Sequence, residues 1–388
     1  MRESFKTTTG EVTKAAFVER PNRFVVVCER VEKGKKQRVK AFLPNPGRLW
    51  ELLFPGSVLY LEKSANAGRK LSHTVVAVER DGVPVLLNTH GANRVARHLV
   101  ERGLVPGLAG WKVKKSEYTL GRSRFDFLLE RDGREMVLEV KSCTLYGARV
   151  AMFPDAVTER GRRHVKELTR LEDGREGVVL FVVYYPGAKY FMPDHHTDLA
   201  FARTLLAARE KVRVLPVAVS VNPDLSVEPA ARPVEIPWKL IEGEAVDGGS
   251  YMMIMRLPRA RVIEAGGLGR VRLERGFYIY VGSARRNLTA RVARHKRKRK
   301  RMRWHVDYLR DVCDVSAALP VRTRDDIECE LAGAVAGLYP APVPGFGSSD
   351  CRCASHLFHS REDPLDSPAF HEVLRHYRME RYFSDDGG

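Results

Sequence analysis

The sequence predicts a mixed α/β protein with three successive domains. Over residues 1–85, short segments rich in Val, Leu, Phe and Tyr alternate with turn residues, which is typical of a small β-barrel. Residues 86–235 mix strand and helix patterns, and residues 248–388 begin with two strands that helices follow. The less patterned stretch 236–247 is the predicted linker. A chain of 388 residues is long enough to form several such cores.

The composition narrows the class of partner. Lys and Arg number 66 against 48 Asp and Glu, which gives a net charge of +18. Because cations that neutralise phosphates release counterions, this excess favours a nucleic-acid partner. The sequence holds no apolar run of about 18 residues and no apolar segment after its first residues, so we expect a cytoplasmic protein without membrane contact. Six cysteines in a chain of this length do not indicate a disulfide framework.

The predicted barrel offers a groove for single-stranded nucleic acid. Its candidate strands are Arg23–Cys28, Arg38–Leu43, Ser57–Glu62 and His73–Glu79. Charged and aromatic side chains together are typical of such grooves, because they contact the backbone and stack on the bases. The candidates are Arg23, Lys40, Arg48 and Trp50.

A hairpin in the second domain carries the main candidate site. Asp132-Gly133 predicts a two-residue turn, so residues whose numbers sum to 265 face each other. Asp126 then faces Glu139 with Cβ atoms about 5 Å apart, and Lys141 follows on the same face. Two close carboxylates favour Mg²⁺ or Mn²⁺, and a lysine beside them positions water or stabilises phosphate charge. The alternative is a cross-strand salt bridge on a solvated face.

These residues also carry a resemblance to known families. Asp126 with Glu139-Val140-Lys141 resembles the PD-(D/E)XK nuclease motif, in which the acids bind the metal and the lysine assists the attack. Residues 1–235 resemble the sugar fermentation stimulation protein A family. The matching strings are Leu43–Leu49, Asn88–Asn93, Ser123–Phe127, Glu139–Ser142 and Ala151–Gly161. The resemblance implies an OB-like barrel joined to a restriction-endonuclease-like domain, DNA binding and a link to sugar utilisation, but it does not imply cleavage.

Basic residues cluster near this hairpin. On a helix that follows Pro154-Asp155, they would form a phosphate clamp, and the alternative is a solvated helix face. The candidates for nucleic-acid binding are Arg124, Arg160, Arg162, Arg163, His164 and Lys166.

The last domain resembles another nuclease family. Gly249-Ser250-Tyr251 and Tyr280-Val281-Gly282 are similar to the two signatures of GIY-YIG nucleases. The resemblance implies that Tyr251 or Tyr280 helps to activate water, that Arg291 stabilises phosphate charge, and that Glu328 or Glu330 holds a metal ion. His295 lies four residues after Arg291 on the same predicted helix face and is a further catalytic candidate.

A tract of six adjacent cationic residues follows His295 in the sequence. If the tract is helical, like charges surround the helix and repel one another, and a polyanion would relieve this repulsion. A solvated or frayed helix end is the alternative. The residues are Lys296, Arg297, Lys298, Arg299, Lys300 and Arg301.

Thiols and imidazoles lie close together near the end of the chain. Cys351, Cys353, His356 and His359 fall within nine residues. The C-x-C spacing is tighter than that of most structural zinc sites, so packed thiols beside loop histidines are the preferred interpretation.

The sequence thus leaves several functions open. The first is a metal-dependent nuclease that uses Asp126, Glu139 and Lys141. The second is a non-catalytic DNA-binding regulator of sugar metabolism, and the third is RNA binding or processing. We expect DNA rather than RNA as the partner.

Overall fold

The computed structural model describes residues 4–32, 34–64, 68–172 and 174–383. The chain divides into two compact units. Unit 1 comprises Met1–Asp194 and Ala200–Trp238, and unit 2 comprises His195–Leu199 and Lys239–Gly388. No helix among the described residues is long and apolar enough to cross a membrane.

The N-terminal part of unit 1 is a closed β-barrel, as predicted. Strands β2 to β6 pair in the order β4-β3-β2-β5-β6, and a parallel pairing of Phe42 with Thr74 joins β4 to β6. Strand β7 extends the sheet beyond β6. Residues two apart, such as Ala15 and Phe17, point into the barrel and are buried. The strands are β1 (Phe5–Lys6), β2 (Val12–Asn22), β3 (Val25–Glu32), β4 (Lys35–Phe42), β5 (Val58–Lys63), β6 (His73–Arg80) and β7 (Val83–Leu86).

The rest of unit 1 is an α/β domain. A mixed sheet has the strand order β17-β15-β13-β10-β9-β8, and a smaller sheet has the order β11-β12-β14. The strands are β8 (Lys112–Leu120), β9 (Ser123–Arg131), β10 (Arg134–Cys143), β11 (Leu145–Tyr146), β12 (Val150–Phe153), β13 (Glu176–Val183), β14 (Tyr190–Pro193), β15 (Val212–Ala218), β16 (Ser226–Val227) and β17 (Arg232–Pro233). The helices are α1 (Thr89–Glu101), α2 (Glu159–Leu168) and α3 (Leu199–Ala208).

The central strand β13 shows why this sheet forms. Its apolar run from Val178 to Val183 is fully buried, and β10 and β15 flank it in parallel. A strand buried on both faces needs such a continuous apolar run, as the sequence predicts.

The hairpin of β9 and β10 has the predicted register. Asp132 and Gly133 have φ angles of 50° and 74°, which a two-residue turn with both central residues in the left-handed region requires. Arg131 pairs with Arg134, Leu128 with Val137 and Phe127 with Leu138. The numbers of each pair sum to 265. Asp126 and Glu139 come next along the two strands.

A loop of the barrel packs against the α/β domain. The backbone N–H of Leu49 donates to Asp155 Oδ2 at 3.3 Å. A Cβ atom on Gly47 would lie 2.1 Å from the same oxygen, so any larger residue would have to displace this carboxylate. The guanidinium of Arg20 donates to the carbonyl groups of Gly47 and Arg48 at 2.7 Å and holds the loop.

Unit 2 is built on an antiparallel sheet with the order β22-β18-β21-β23. Its helix α4 falls within the predicted linker 236–247. The strands are β18 (Gly249–Leu257), β19 (Arg261–Glu264), β20 (Arg270–Leu273), β21 (Gly276–Ala284), β22 (Asp314–Arg322) and β23 (Leu357–Ser360). The helices are α4 (Trp238–Glu244), α5 (Leu288–Lys296), α6 (His305–Val312), α7 (Glu328–Leu338) and α8 (Pro368–Arg378), with 3₁₀ turns at Gly266–Leu268, Pro364–Asp366 and Glu380–Tyr382.

Candidate metal and nucleic-acid site

A cavity of about 550 Å³ opens in unit 1 at the hairpin of β9 and β10. Asp126, Glu139 and Lys141 all line it, so the structure brings the predicted acids and lysine together. The barrel loop also lines this cavity, through Asn45 and Gly47. The site therefore combines residues of the barrel with residues of the α/β domain.

Asp126 is held by hydrogen bonds to both of its carboxylate oxygens. The side-chain amide of Asn93 on α1 donates to Oδ1, and the backbone N–H of Val140 donates to Oδ2, each at 2.7 Å. Burial and the neighbouring charge of Glu139 raise the pKa of Asp126. These causes outweigh the hydrogen bonds, so the ionised carboxylate is strained electrostatically and would be stabilised by a cation.

Glu139 is 3% exposed, and its two carboxylate oxygens differ in their hydrogen bonding. Its Oε1 accepts from Lys141 Nζ and lies 2.7 Å from His164 Nδ1. Its Oε2 is buried without a hydrogen-bond partner among the described residues. Burial works against ionisation, but Lys141 and His164 outweigh it and lower the pKa of Glu139. Glu139 is therefore a carboxylate with one oxygen left for a further ligand.

This donor set fits a hard divalent cation. The unpaired Glu139 Oε2 and the remaining lone pairs of Asp126 are carboxylate oxygens, which Mg²⁺, Mn²⁺ and Ca²⁺ prefer. A buried carboxylate oxygen without a partner costs free energy, and an ion would offset that cost.

Positive charge surrounds the acids. Arg23, Arg124 and Arg160 line the cavity together with Lys141. Arg124 and Arg160 are exposed, as is Arg163, which also donates to the Ser123 hydroxyl at 3.4 Å. Such side chains can contact a phosphate backbone at the mouth of the cavity.

The other residues predicted to bind nucleic acid lie on α2 and on the barrel. On α2, Lys166 is exposed and Arg162 is half-buried. The half-buried Arg48 places its guanidinium 4.8 Å from the centre of the Trp50 ring, a cation–π contact on the barrel.

His164 was predicted as part of the phosphate clamp, and the structure contradicts this. The imidazole is 1% exposed, and its Nδ1 contacts Glu139. Arg160 Nε donates to Nε2 of the same ring at 3.4 Å, so Nδ1 carries the proton that Glu139 accepts. His164 therefore orients Glu139 and connects it to Arg160.

Asn93 and Asp155 belong to the cavity although no local pattern marks them as site residues. Both lie in strings that carry the family resemblance, and this was the signal that could have found them. Burial and the charge of Glu51 raise the pKa of Asp155 to about 6.

In unit 2, the structure brings together some of the residues that the resemblance to GIY-YIG nucleases indicates. The rings of Tyr251 and Tyr280 lie 6.1 Å apart between their centroids, and the charges of Arg291 and Glu328 act on both hydroxyls. Burial raises the pKa of both tyrosines. The Arg291 guanidinium lies 4.5 Å from the centre of the Trp304 ring.

Two other candidates in unit 2 have other contacts: Glu330 points away from the tyrosines, whereas the His295 ring lies 6.0 Å from the Tyr251 ring but pairs with an acid. Glu330 accepts from the Tyr377 hydroxyl at 3.1 Å, because residues two apart on a helix point to different sides. Of the two acids, Glu328 is the one beside the tyrosines. His295 is 1% exposed, and its Nδ1 is 3.1 Å from Asp307 Oδ1. Burial lowers the pKa of His295 to about 4, so this ring is neutral at neutral pH and is part of the packed interior.

The basic tract differs from the helical prediction. Helix α5 ends at Lys296, and residues 297–301 follow without helical structure, so the cations do not surround a helix. Lys296 to Arg299 and Arg301 are exposed. The side chain of Lys300 is only 5% exposed, and its Nζ is 3.0 Å from Asp307 Oδ1. Lys300 is thus an internal ion-pair partner and not a surface contact for a polyanion.

Fold and site together define a protein in which an OB barrel is joined to a restriction-endonuclease-like (RE) domain. The models of three domain families match: the SfsA N-terminal OB domain over residues 18–87, the sugar fermentation stimulation protein RE domain over 90–225, and the domain of unknown function DUF123 over 250–379.

The chain belongs to the sugar fermentation stimulation protein family. It is 40% identical over 229 residues to the sugar fermentation stimulation protein homolog of Methanothermobacter thermautotrophicus, a match that covers 58% of this chain and 93% of that protein. The homolog of Shouchella clausii is also 40% identical, over 203 residues that cover 52% of this chain and 87% of the homolog.

A solved structure is similar to this chain as well. The structure of Pyrococcus furiosus SfsA in complex with Ca²⁺ superposes with a TM-score of 0.54 at 28% sequence identity. The superposition covers 60% of this chain and 99% of that one.

Proposed function

We propose that unit 1 is a divalent-metal-dependent nuclease that cleaves phosphodiester bonds at the cavity formed by Asp126, Glu139 and Lys141. The observation that carries this proposal is the buried Oε2 of Glu139, which no described residue hydrogen-bonds, beside a second carboxylate in a cavity lined by arginines. A protein that only binds nucleic acid gains nothing from two acids facing a polyphosphate, since like charges repel. The Pyrococcus furiosus relative was solved in complex with Ca²⁺, which supports a hard cation as the ligand.

Each residue has a role in this proposal. Asp126 and Glu139 would hold the cation, which supplies charge neutralisation at the phosphate and a more acidic water. Asn93 and the Val140 N–H fix the Asp126 carboxylate, while His164 fixes Glu139. Lys141 would move from Glu139 to stabilise charge that develops on the phosphate. Arg124 and Arg160 would position the backbone of the nucleic acid.

The substrate class follows from charge. The net charge of +18 and the basic rim favour nucleic acid, and we propose DNA before RNA.

A non-catalytic role is the second candidate, and one observation favours it. Lys141 is paired with Glu139 and so neutralises the acid that would bind the metal. In this alternative, the chain is a DNA-binding regulator and the acid–lysine pair is structural.

The test is a cleavage assay on the full chain with duplex DNA, single-stranded DNA and RNA, each with Mg²⁺, Mn²⁺ or EDTA. We expect metal-dependent cleavage that falls by roughly 100-fold or more in Asp126→Asn and in Glu139→Gln, as for loss of one electrostatic group in other enzymes. Glu135→Gln is the matched control, since it makes the same change on the same strand at a residue that pairs with Lys114.

A further variant assigns the activity to one unit. Glu328→Gln should retain the cleavage if unit 1 is responsible. If the unsubstituted chain cuts no substrate, and the variants Asp126→Asn and Glu139→Gln still bind DNA, the non-catalytic role is the correct one.

A further inference from the structure

A second group of metal-binding residues lies in unit 2. The thiols of Cys329, Cys351 and Cys353 and the imidazole of His356 each place a ligand atom within 4.8 Å of the others. The sequence alone groups His359, and not Cys329, with the other three residues. The structure places His359 Nε2 3.0 Å from the carbonyl oxygen of Arg275, away from this group.

The distances suit a single ion with tetrahedral ligands. Zinc–sulfur bonds of about 2.3 Å and zinc–nitrogen bonds of about 2.0 Å place a sulfur and a nitrogen ligand about 3.6 Å apart. Cys351 Sγ and His356 Nε2 are 3.5 Å apart. The limit of 4.8 Å for the whole group means that small side-chain movements would bring all ligands into range.

His356 is oriented as a metal-binding histidine would be. It is 1% exposed, and its Nδ1 lies 3.0 Å from Glu328 Oε1, so Nε2 faces the thiols. Glu328 in turn accepts from the Ser283 hydroxyl. A carboxylate that accepts from the other ring nitrogen is the usual support of a zinc-bound histidine.

The ligands come from elements that the fold already holds together. Cys329 lies in the first turn of α7, and His356 immediately precedes β23. Backbone hydrogen bonds from Gly345 to Ala354 and from His356 to Phe346, both 2.8 Å, fix the loop that carries Cys351 and Cys353. An ion would therefore connect α7 to this loop.

We propose that Cys329, Cys351, Cys353 and His356 bind one zinc ion, with Glu328 as the positioning residue of His356. Three thiolates and one imidazole select a soft or borderline cation over Mg²⁺ or Ca²⁺, and each thiol releases its proton on binding. Because Glu328 also faces Tyr280 and Arg291, the ion would fix the acid beside the tyrosines. The proposal does not depend on the function proposed for unit 1.

Metal content is the first measurement. The full chain is purified under reducing conditions, and zinc is measured by mass spectrometry. We expect one zinc per chain, and after replacement by Co²⁺ we expect the charge-transfer absorption of cobalt thiolates. A reduced chain that holds no zinc and takes up no Co²⁺ with thiolate absorption overturns the proposal.

Variants then identify the ligands. Cys351→Ser and Cys353→Ser should each lose the bound zinc, whereas His359→Gln is the control and should keep it. Glu328→Gln should keep the ion but bind it 10–100-fold more weakly in competition with a chelator, as expected for a supporting carboxylate. If His359→Gln loses zinc as fully as Cys353→Ser, or if Glu328→Gln leaves the affinity unchanged, the assignment is wrong.

Discussion

Glu139 in unit 1 and Asp307 in unit 2 are both buried acids that contact a histidine and a lysine, yet their surroundings differ. Asp307 is 0% exposed, and both of its oxygens are saturated. Its donors are Arg294, His295, Lys300 and the backbone N–H groups of Arg303 and Trp304. Glu139 keeps one oxygen without a hydrogen-bond partner in the described part of the chain and faces a cavity.

This difference separates a candidate site from a structural ion pair. Burial opposes ionisation of Asp307, but hydrogen bonds from Arg294 and Lys300 outweigh it and hold its pKa well below the usual range. Nothing at Asp307 is left to bind a ligand, so its charge organises the start of α6 and the end of α5. The acid–histidine–lysine combination therefore does not identify a site. A site is identified by a carboxylate oxygen that can still bind a ligand and that faces a cavity.

The largest effect should come from removing the saturated acid. Asp307→Asn leaves Arg294 and Lys300 without their buried counter-charge, and we expect unit 2 to lose about 3–5 kcal/mol of stability. Calorimetric unfolding measures the change. Asp314→Asn is the control, because this acid is 75% exposed and pairs with Lys298, so its loss should matter by less than about 0.5 kcal/mol.

The same measurement tests the comparison itself. Glu139→Gln should destabilise unit 1 by less than Asp307→Asn destabilises unit 2, since Glu139 carries an unsatisfied oxygen and Lys141 borders the cavity. An equal or larger loss would mean that Glu139 is a structural ion-pair residue like Asp307.

A smaller effect should distinguish exposed from buried cations of the basic tract. Replacing the exposed Lys296, Arg297, Lys298 and Arg299 together by Gln should reduce the salt dependence of DNA binding, with a slope change of about 0.9 per lost phosphate contact. Lys300→Gln should instead destabilise unit 2, because its charge pairs with Asp307. The slope comes from affinities measured over a range of salt concentrations.

The control for the tract removes the same charge elsewhere. Its four replacements by Gln lie at exposed positions, Arg259, Arg261, Arg270 and Arg272. If this variant changes the salt slope as much as the tract variant does, net charge and not local contact explains the effect.

The smallest effect should be a shift in the pH dependence of metal binding at the candidate site of unit 1. Burial and Glu139 raise the pKa of Asp126, so on acidification Asp126 protonates before Glu139, whose pKa is lowered. We expect Mn²⁺ affinity, measured by calorimetry, to decrease as the pH falls through the raised pKa of Asp126. Lys141→Met removes a charge that lowers both pKa values, so the midpoint should move to higher pH. A midpoint that moves to lower pH would contradict the assignment.

The sequence was sufficient where geometry is local. The turn at Asp132-Gly133 fixes the register of two adjoining strands, and side chains alternate between faces, so the convergence of Asp126 and Glu139 needed no tertiary information. The barrel was predictable for the same reason, since short alternating strands and turns are local patterns.

Contacts between distant segments were not predictable. Asn93 reaches Asp126 across 33 positions, and Cys329 joins Cys351 although 22 positions separate them. Whether His164 or Lys300 faces solvent depends on which acid packs against it. Those choices arise from helix packing, which residue spacing along one element does not determine.

The absence of a side chain at Gly47 has a consequence for how the cavity can vary. The barrel loop approaches Asp155 so closely that even a methyl group would collide with its carboxylate. An alanine there would have to displace this carboxylate, which also accepts from the backbone N–H of Leu49. The smallest amino acid of the barrel loop thus sets how closely that loop can approach a carboxylate of the α/β domain.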